Sequence, residues 1–115
     1  MERARRLRKG DEFDTVYQKG TVTSGPLLAL RRLPNDLELT RWGFAVGKRL
    51  SKRAVERNRT KRRLREAARV LPVHQGFDLI VTARKGAIEA RGSELRAALV
   101  ALLQRCGLLE AAARA

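Results

Sequence analysis

The order of apolar segments between residues 42 and 83 constrains the fold of this chain more than any other feature. Residues 42–47 alternate large and small side chains, which predicts a short strand. Residues 53–71 are rich in Arg, Lys, Leu, Ala and Glu and end at Pro72, which predicts a helix. Residues 77–83 are almost entirely apolar and predict another strand. Two strands joined by a single helix indicate a β-α-β unit.

The first of these strands has two unlike faces. Trp42, Phe44 and Val46 lie on one face, and the other face has only glycine and alanine. A face without bulk allows another group to approach the backbone closely. We therefore expect the large face to pack in the core and the small face to receive a neighbouring group.

Three further elements are predicted on either side of this unit. Residues 11–18 have the spacing of a short amphipathic helix, and residues 27–33 indicate a strand that pairs antiparallel with residues 42–47. A last helix is predicted to start with Ser93 as its N-cap and to present an apolar stripe that ends at Cys106. The stripe places this helix in the core, with Cys106 as a buried and unreactive thiol.

The positive charge of the chain is concentrated in two places. The 26 Lys and Arg against 12 Asp and Glu leave a net charge of +14. Residues 41–69 hold 12 basic and two acidic residues, a net of +10, and residues 1–9 add +4. The rest of the chain is neutral, and acidic partners at i,i+4 are nearly missing from the basic helix. This distribution indicates a shaped surface for an anionic partner.

Length and composition exclude several classes of protein. The 115 residues form one domain, residues 1–115, with residues 1–9 as a basic arm, and 43% hydrophobic residues supply a core. A single cysteine permits neither an intramolecular disulfide nor a cysteine metal site. The longest apolar run, residues 97–103, is too short to cross a bilayer, so we expect a cytoplasmic protein without a membrane partner.

No group of side chains suggests a catalytic or metal site in the protein itself. His74 is the single histidine and lies in a predicted loop, where an exposed side chain without a catalytic role is expected. Four acidic residues cluster near the start: Glu2, Asp11, Glu12 and Asp14. The last three fit the first turn of a helix, where negative charge favours the helix dipole. We expect the protein to have no catalytic residue and to bind no metal or cofactor alone.

The basic segment, residues 48–66, favours a nucleic acid as the partner. Arginine outnumbers lysine there, and the guanidinium fork binds phosphate oxygens in pairs. Beyond Asn58 and Thr60 the segment has few uncharged polar side chains that would bind base edges in a DNA groove. Recognition of RNA by shape and phosphate contact fits this composition better than sequence-specific DNA binding.

Four segments together resemble one known family. The run Arg-Asn-Arg-Thr-Lys-Arg-Arg-Leu-Arg-Glu at residues 57–66, with Lys-Arg after Gly-Phe-Ala-Val-Gly at residues 43–49, closely resembles the signature of the bacterial ribonuclease P protein subunit. Residues 13–20 look like the first helix of the family with its two aromatic positions, and residues 78–85 look like its last strand. The segments cover nearly the whole chain in the order of the family.

The resemblance implies an α/β sandwich of order α-β-β-β-α-β-α with a four-stranded sheet. It is similar to a domain of a small-subunit ribosomal protein and of the translocating elongation factor, with a left-handed β-α-β crossover around the basic helix. The fourth strand is expected from a division of residues 21–33 at Gly25-Pro26.

The resemblance also implies a function in the 5′ maturation of precursor tRNA. In this family a large RNA subunit holds the active site and uses Mg²⁺. By resemblance, the residues that would bind this catalytic RNA are Lys48, Arg49, Lys52, Arg53, Arg59, Lys61, Arg62 and Arg65. The residues that would bind the single-stranded 5′ leader are Phe13, Tyr17, Arg31, Arg57 and Asn58, with Arg31 at a position where many relatives have tyrosine.

Two other kinds of protein share part of this pattern. A ribosomal or RNA-chaperone protein would have the basic helix without a leader cleft, and a DNA-binding module would have the charge but prefer duplex DNA. Phe13 and Tyr17 also fit a helix face that only packs on the core.

Overall fold

The order of helices and strands agrees with the order expected from the sequence. The computed structural model describes residues 3–8 and 10–110, so Glu2 and Lys9 of the predicted arm lie outside the described residues. After a 3₁₀ turn at Arg3–Arg5, the elements are α1 (Asp11–Lys19), β1 (Thr21–Ser24), β2 (Leu28–Pro34), β3 (Arg41–Ala45), α2 (Ala54–Arg69), β4 (Phe77–Ala83) and α3 (Gly92–Cys106). The predicted division at Gly25-Pro26 into two strands is confirmed.

The four strands form one mixed sheet in the order β1-β2-β4-β3. β2 pairs antiparallel with β1 and β4, whereas β3 pairs parallel with β4, as expected of a β-α-β unit. The predicted antiparallel pair of residues 27–33 with 42–47 is wrong, because β4 lies between them. β4 is the most deeply buried strand, and a strand covered on both faces takes the centre of a sheet.

The larger core lies between the sheet and the helices α2 and α3. Its fully buried side chains include Leu30 of β2 and Leu79 of β4, which face Leu64 of α2 and Leu99 of α3. Trp42 is buried in the same core, so the large face of β3 packs as predicted.

A smaller core lies on the opposite face of the sheet, under α1. Val16 and Ile80 are fully buried there and pack with Leu7 and the partly buried Phe13. A Cβ atom added at Gly43 would lie 2.5 Å from Cζ of Phe13. The group that approaches the small face of β3 is therefore the Phe13 ring, which confirms the expectation of a close approach.

Three local predictions need correction. α2 ends at Arg69, two residues before the predicted end, and α3 starts at Gly92 with Arg91 at the N-cap position instead of Ser93. The Arg91 amide donates a hydrogen bond to Oε1 of Glu94 at 2.9 Å, which fixes that earlier start. Cys106 is only partly buried, because it lies at the margin of the larger core, where its Sγ accepts a hydrogen bond from Arg32 at 3.2 Å.

The described part of the N-terminal arm lies along the outer edge of β3. Arg6 forms a parallel bridge with Trp42, and the Leu7 amide donates to the Trp42 carbonyl at 2.8 Å. Leu7 is buried in the smaller core. Over residues 3–8 and 10–110, no helix has both the length and the apolar character needed to cross a membrane.

Candidate nucleic-acid interface

α2 packs through one narrow face, and arginines cover its other sides. Thr60, Leu64, Ala67 and Ala68 are buried, at the spacing of a single helix face. A stripe of polar and basic residues follows the outer side at i, i+4, i+7 and i+11, formed by Asn58, Arg62, Arg65 and Arg69. This set of four is called the α2 stripe below. Asn58, Arg62 and Arg69 are exposed, whereas Arg65 is partly buried.

Not every arginine of α2 belongs to this surface. Arg63 donates a hydrogen bond from Nη1 to the Ala90 carbonyl at 2.9 Å, so it ties α2 to the segment before α3. Arg59 and Arg65 are partly buried, and their Nε atoms are buried without a hydrogen-bond partner. Lys61 is also partly buried. Of the four α2 residues predicted to bind the catalytic RNA, only Arg62 is exposed, and the other three are partly buried.

The loop before α2 is held in place by its own polar contacts. The Ser51 hydroxyl donates to Oε1 of Glu56 at 2.5 Å, and Arg57 donates from Nη1 to the Ser51 carbonyl at 2.9 Å. These bonds join the loop to the first turn of the helix. The four predicted basic residues of this loop region are all exposed: Lys48, Arg49, Lys52 and Arg53.

The residues predicted for leader binding are brought together in part. The Phe13 and Tyr17 rings lie 6.4 Å apart, and Cζ of Arg31 lies 4.9 Å from the centre of the Tyr17 ring. Tyr17 is 39% exposed, whereas Phe13 is partly buried against Gly43. The alternative that the aromatic residues only pack on the core therefore applies to Phe13. Tyr17 and Arg31 form an accessible cation–π pair.

Beside this pair lies an uncovered part of the sheet, called the α1-face groove below. The strand registers place four residues in one row across the sheet: Ser24, Ala29, Thr82 and Ala45. All four are small and at least partly exposed. In the next row, Phe13 of α1 lies against Gly43 and Tyr17 lies against Arg31. The row forms a shallow floor of small side chains with an aromatic wall.

Arg57 and Asn58 are not part of this arrangement. They lie on the first turns of α2, which packs on the opposite face of the sheet from α1. Among the described contacts, none joins either residue to Phe13 or Tyr17.

An ion network that the sequence did not suggest anchors α1 to the sheet. Arg41 forms ion pairs with Asp78 at 2.7 Å and with Glu12 at 3.0 Å, and Asn35 donates to Oδ1 of Asp78 at 2.8 Å. The hydrogen bonds that Arg41 donates to the Asp78 carboxylate, against the cost of burial, raise the pKa of Arg41 above its ordinary value. Because folding raises this pKa, the stabilisation is complete below the ordinary arginine pKa and is lost only in stronger base.

Three of the four acidic residues near the start lie where the sequence predicted them, and the fourth, Glu2, lies outside the described residues. Asp11, Glu12 and Asp14 lie in the first turn of α1. Over residues 3–8 and 10–110, no three His, Cys, Asp or Glu side chains are grouped to hold a metal ion. The side chain of His74 is exposed, as expected, and its carbonyl accepts a hydrogen bond from Thr40 at 2.6 Å.

Comparison with known proteins identifies the family. The family model for ribonuclease P matches residues 1–107. The chain belongs to this family. The ribonuclease P protein component of Dehalococcoides mccartyi strain CBDB1 is 40% identical over 109 residues, which cover 95% of this chain and 90% of that relative. The ribonuclease P protein component of Symbiobacterium thermophilum is 41% identical and covers 96% of this chain and 97% of that relative.

Solved structures of ribonuclease P proteins share the fold. A Staphylococcus aureus RNase P protein mutant with defective mRNA degradation activity superposes with a TM-score of 0.86 at 28% identity, over 95% of this chain and 93% of that chain. The Thermotoga maritima RNase P protein gives a TM-score of 0.77 at 29% identity, over 87% and 96%. The α+β fold expected from the resemblance is confirmed. As a ribonuclease P protein component, the chain is the protein subunit of a ribonucleoprotein enzyme of tRNA 5′ processing, with the ribonuclease P RNA as its partner.

Proposed function

We propose that the two sides of this ribonuclease P protein bind two different RNAs. α2 and the loop before it bind the catalytic RNA, and the α1-face groove binds the 5′ leader of precursor tRNA. The observation that supports this division is the placement of α1 and α2 on opposite faces of the sheet. A protein between the two RNAs can hold the leader while the RNA subunit removes it.

The charge of the α2 side supports the contact with the catalytic RNA. The exposed cations Lys48, Arg49, Lys52, Arg53 and Arg62 have little acidic compensation nearby, apart from a 3.8 Å pair between Arg53 and Glu56. Arg53 is 80% exposed in that pair, so water screens it and the cation remains available to phosphate. Arg59, Lys61 and Arg65 complete the proposed contact at the sides of the helix. Neutralising RNA phosphates with such cations gives an affinity that falls steeply with salt.

The shape of the α1 face supports the contact with the leader. A floor of small side chains lets a single strand lie close to the sheet, and Tyr17 provides a partly exposed ring for base stacking. Arg31, on the interior strand β2, stacks on that ring and supplies positive charge for a leader phosphate. Arg57 and Asn58 serve the leader only if it extends from the groove to the start of α2.

In this proposal the RNA subunit provides the chemistry. It holds the active site and the Mg²⁺ ions for phosphodiester hydrolysis, and the protein contributes no catalytic residue and binds no cofactor alone. The enzyme acts in the cytoplasm as an endoribonuclease on precursor tRNA.

Reconstitution with the catalytic RNA tests the proposal. At low Mg²⁺, adding the full-length protein to the RNA should raise the rate of precursor-tRNA cleavage, and the protein alone should cleave nothing. Cleavage by the protein without RNA would place the active site in the protein. No effect on cleavage by the RNA, with RNA binding intact, would favour the ribosomal or chaperone-type alternative, in which the basic helix binds RNA without presenting a leader.

A further inference from the structure

A cavity on the α2 side of the molecule has no part in the proposed leader groove. Its volume is about 330 Å³, near the lower end of the range for small-molecule pockets. It is lined by Trp42, Ala68, Leu71, Val73, Arg5, Arg69 and Gln75. Four of these side chains are apolar, Trp42 among them, and are called the floor below. The exposed Arg5 and Arg69 add two guanidinium groups to the lining and are called the rim.

The arginines at the rim are placed for an anionic ligand. Arg5 donates a hydrogen bond from Nη1 to Oε1 of Gln75 at 3.0 Å, which joins the arm to another residue of the cavity lining. Arg69 is exposed and has no hydrogen bond or ion pair among the described residues. No Asp or Glu lines the cavity. An apolar floor with two cations at its edge matches a nucleotide, which combines an aromatic base with a phosphate.

The α2 stripe leads to this cavity. From Asn58 to Arg69 the stripe advances 11 residues, about 16 Å along the helix axis. A phosphate backbone that follows Arg62 and Arg65 therefore reaches Arg69, and Arg69 forms part of the rim.

The strand geometry separates the cavity from the α1-face groove. Trp42 lines the cavity and faces the larger core, whereas Gly43, the next residue of β3, faces Phe13 on the other side of the sheet. Because the sheet lies between the cavity and the α1-face groove, an RNA strand bound in the groove does not also contact the cavity. The RNA on the α2 side is the source of any nucleotide in the cavity.

We propose that the cavity binds one unstacked nucleotide of the catalytic RNA. The base enters the apolar floor beside Trp42, and Arg5 and Arg69 bind the adjoining phosphates. The assignment of the catalytic RNA rests on the proposed function, because it uses the placement of that RNA along α2. Binding of a free nucleotide to the cavity does not depend on that placement.

The single tryptophan of the chain makes the cavity directly measurable. The full-length protein is titrated with adenosine 5′-monophosphate at constant ionic strength, with fluorescence of Trp42 as the readout and inorganic phosphate as a parallel ligand. We expect a saturable change with the nucleotide and binding about tenfold weaker for phosphate alone. Equal affinities would mean general attraction of anions and would overturn the site.

Matched variants locate the binding. Arg69→Ala should weaken nucleotide binding about fivefold or more, since it removes a charged hydrogen bond. Arg96→Ala removes an exposed arginine of α3 that does not line the cavity, and it should change the affinity less than about twofold. Equal weakening by the two variants, or loss of the signal in Tyr17→Ala, would contradict nucleotide binding in this cavity.

The holoenzyme tests the source of the nucleotide. Trp42 is replaced biosynthetically by 5-fluorotryptophan, and its ¹⁹F resonance is followed as the ribonuclease P RNA and then precursor tRNA are added. We expect the resonance to shift on addition of the ribonuclease P RNA, and Arg69→Ala to reduce that shift in a complex that still forms. A resonance that moves only with precursor tRNA, or not at all, would refute the assignment. The reconstitution assay reports the proposed function separately, since stimulated cleavage with an unshifted resonance rejects only the cavity.

Discussion

The two faces of the sheet are built in different ways. Leucine and valine side chains from the sheet, α2 and α3 form a continuous core on one face, with Leu30, Leu64 and Leu99 fully buried. On the other face, α1 packs through a three-residue core and an ion network, and part of the sheet stays uncovered. Most of the apolar burial therefore lies on the face that α2 and α3 cover. The α1 face is then free to keep a groove that a complete core would fill.

The largest expected effect is a loss of stability when one core residue on each face of the sheet is truncated. Leu99→Ala should lower the free energy of unfolding by about 2–5 kcal/mol. Val16→Ala should lower it by about 2 kcal/mol, because it removes fewer methyl groups from a smaller cluster. Urea denaturation measures both, with the exposed Gln104→Ala as a control expected within about 0.5 kcal/mol of the unsubstituted protein. If Val16→Ala cost as much as Leu99→Ala, the two faces would contribute equally to stability.

The contact between Gly43 and Phe13 should also contribute to the stability of the α1 face. Gly43→Ala should destabilise the protein by about 1–3 kcal/mol, because the new Cβ would lie 2.5 Å from the Phe13 ring. Adding Phe13→Leu to Gly43→Ala should recover part of the loss. Gly92→Ala is the matched control, since its Cβ would have no neighbour within 4 Å. Thermal or urea unfolding of the four proteins checks this prediction, and a neutral Gly43→Ala would show that α1 shifts at no cost.

The two aromatic residues of α1 should differ in what they contribute. Tyr17→Ala should weaken binding of precursor tRNA to the holoenzyme by about 1–3 kcal/mol through lost stacking, with mature tRNA unaffected. Phe13→Ala should weaken precursor binding as well, and it should also lower stability, because the ring packs on Gly43. Parallel affinity measurements on both RNAs and urea denaturation separate these effects. Equal losses of affinity for precursor and mature tRNA would show that Phe13 and Tyr17 only pack on the core.

Single arginines on the α2 side should have the smallest effects. Arg62→Ala and Arg65→Ala should each weaken assembly with the catalytic RNA and reduce the slope of log affinity against log salt by about 0.7–0.9. Arg63→Ala should act on stability instead, because Arg63 bonds the Ala90 carbonyl. Filter binding across a salt series gives the slopes. An unchanged slope in Arg62→Ala would remove that residue from the RNA contact.

Much of the fold was predictable because the elements have strong local signals. The local sequence alone predicts the turn at Gly25-Pro26, the helix that ends before Pro72 and the apolar strand at residues 77–83. Strand order was not local: neighbours in the chain were expected to pair, yet β4 enters between β2 and β3. The lack of alternation in residues 77–83 is typical of a strand covered on both faces and was the available signal for a central position.

The site was predictable in charge and residue type and less so in geometry. The basic helix and the aromatic spacing of α1 follow directly from the sequence. The partition of the aromatic pair, with Phe13 packed and Tyr17 accessible, depends on Gly43, which lies 30 residues away in the chain. The Arg41 and Asp78 pair joins residues 37 apart, and no local pattern indicates such a partner.

The bridge between Arg6 and Trp42 also affects how the protein behaves at high concentration. β3 is an edge strand, and an unpaired strand edge is a template for pairing with a second copy. The arm occupies part of that edge through the bridge and the Leu7 hydrogen bond, and it brings the repulsive charges of Arg5, Arg6 and Arg8 to the same place. A segment rich in arginine thus protects the sheet against edge-to-edge aggregation before any RNA is bound.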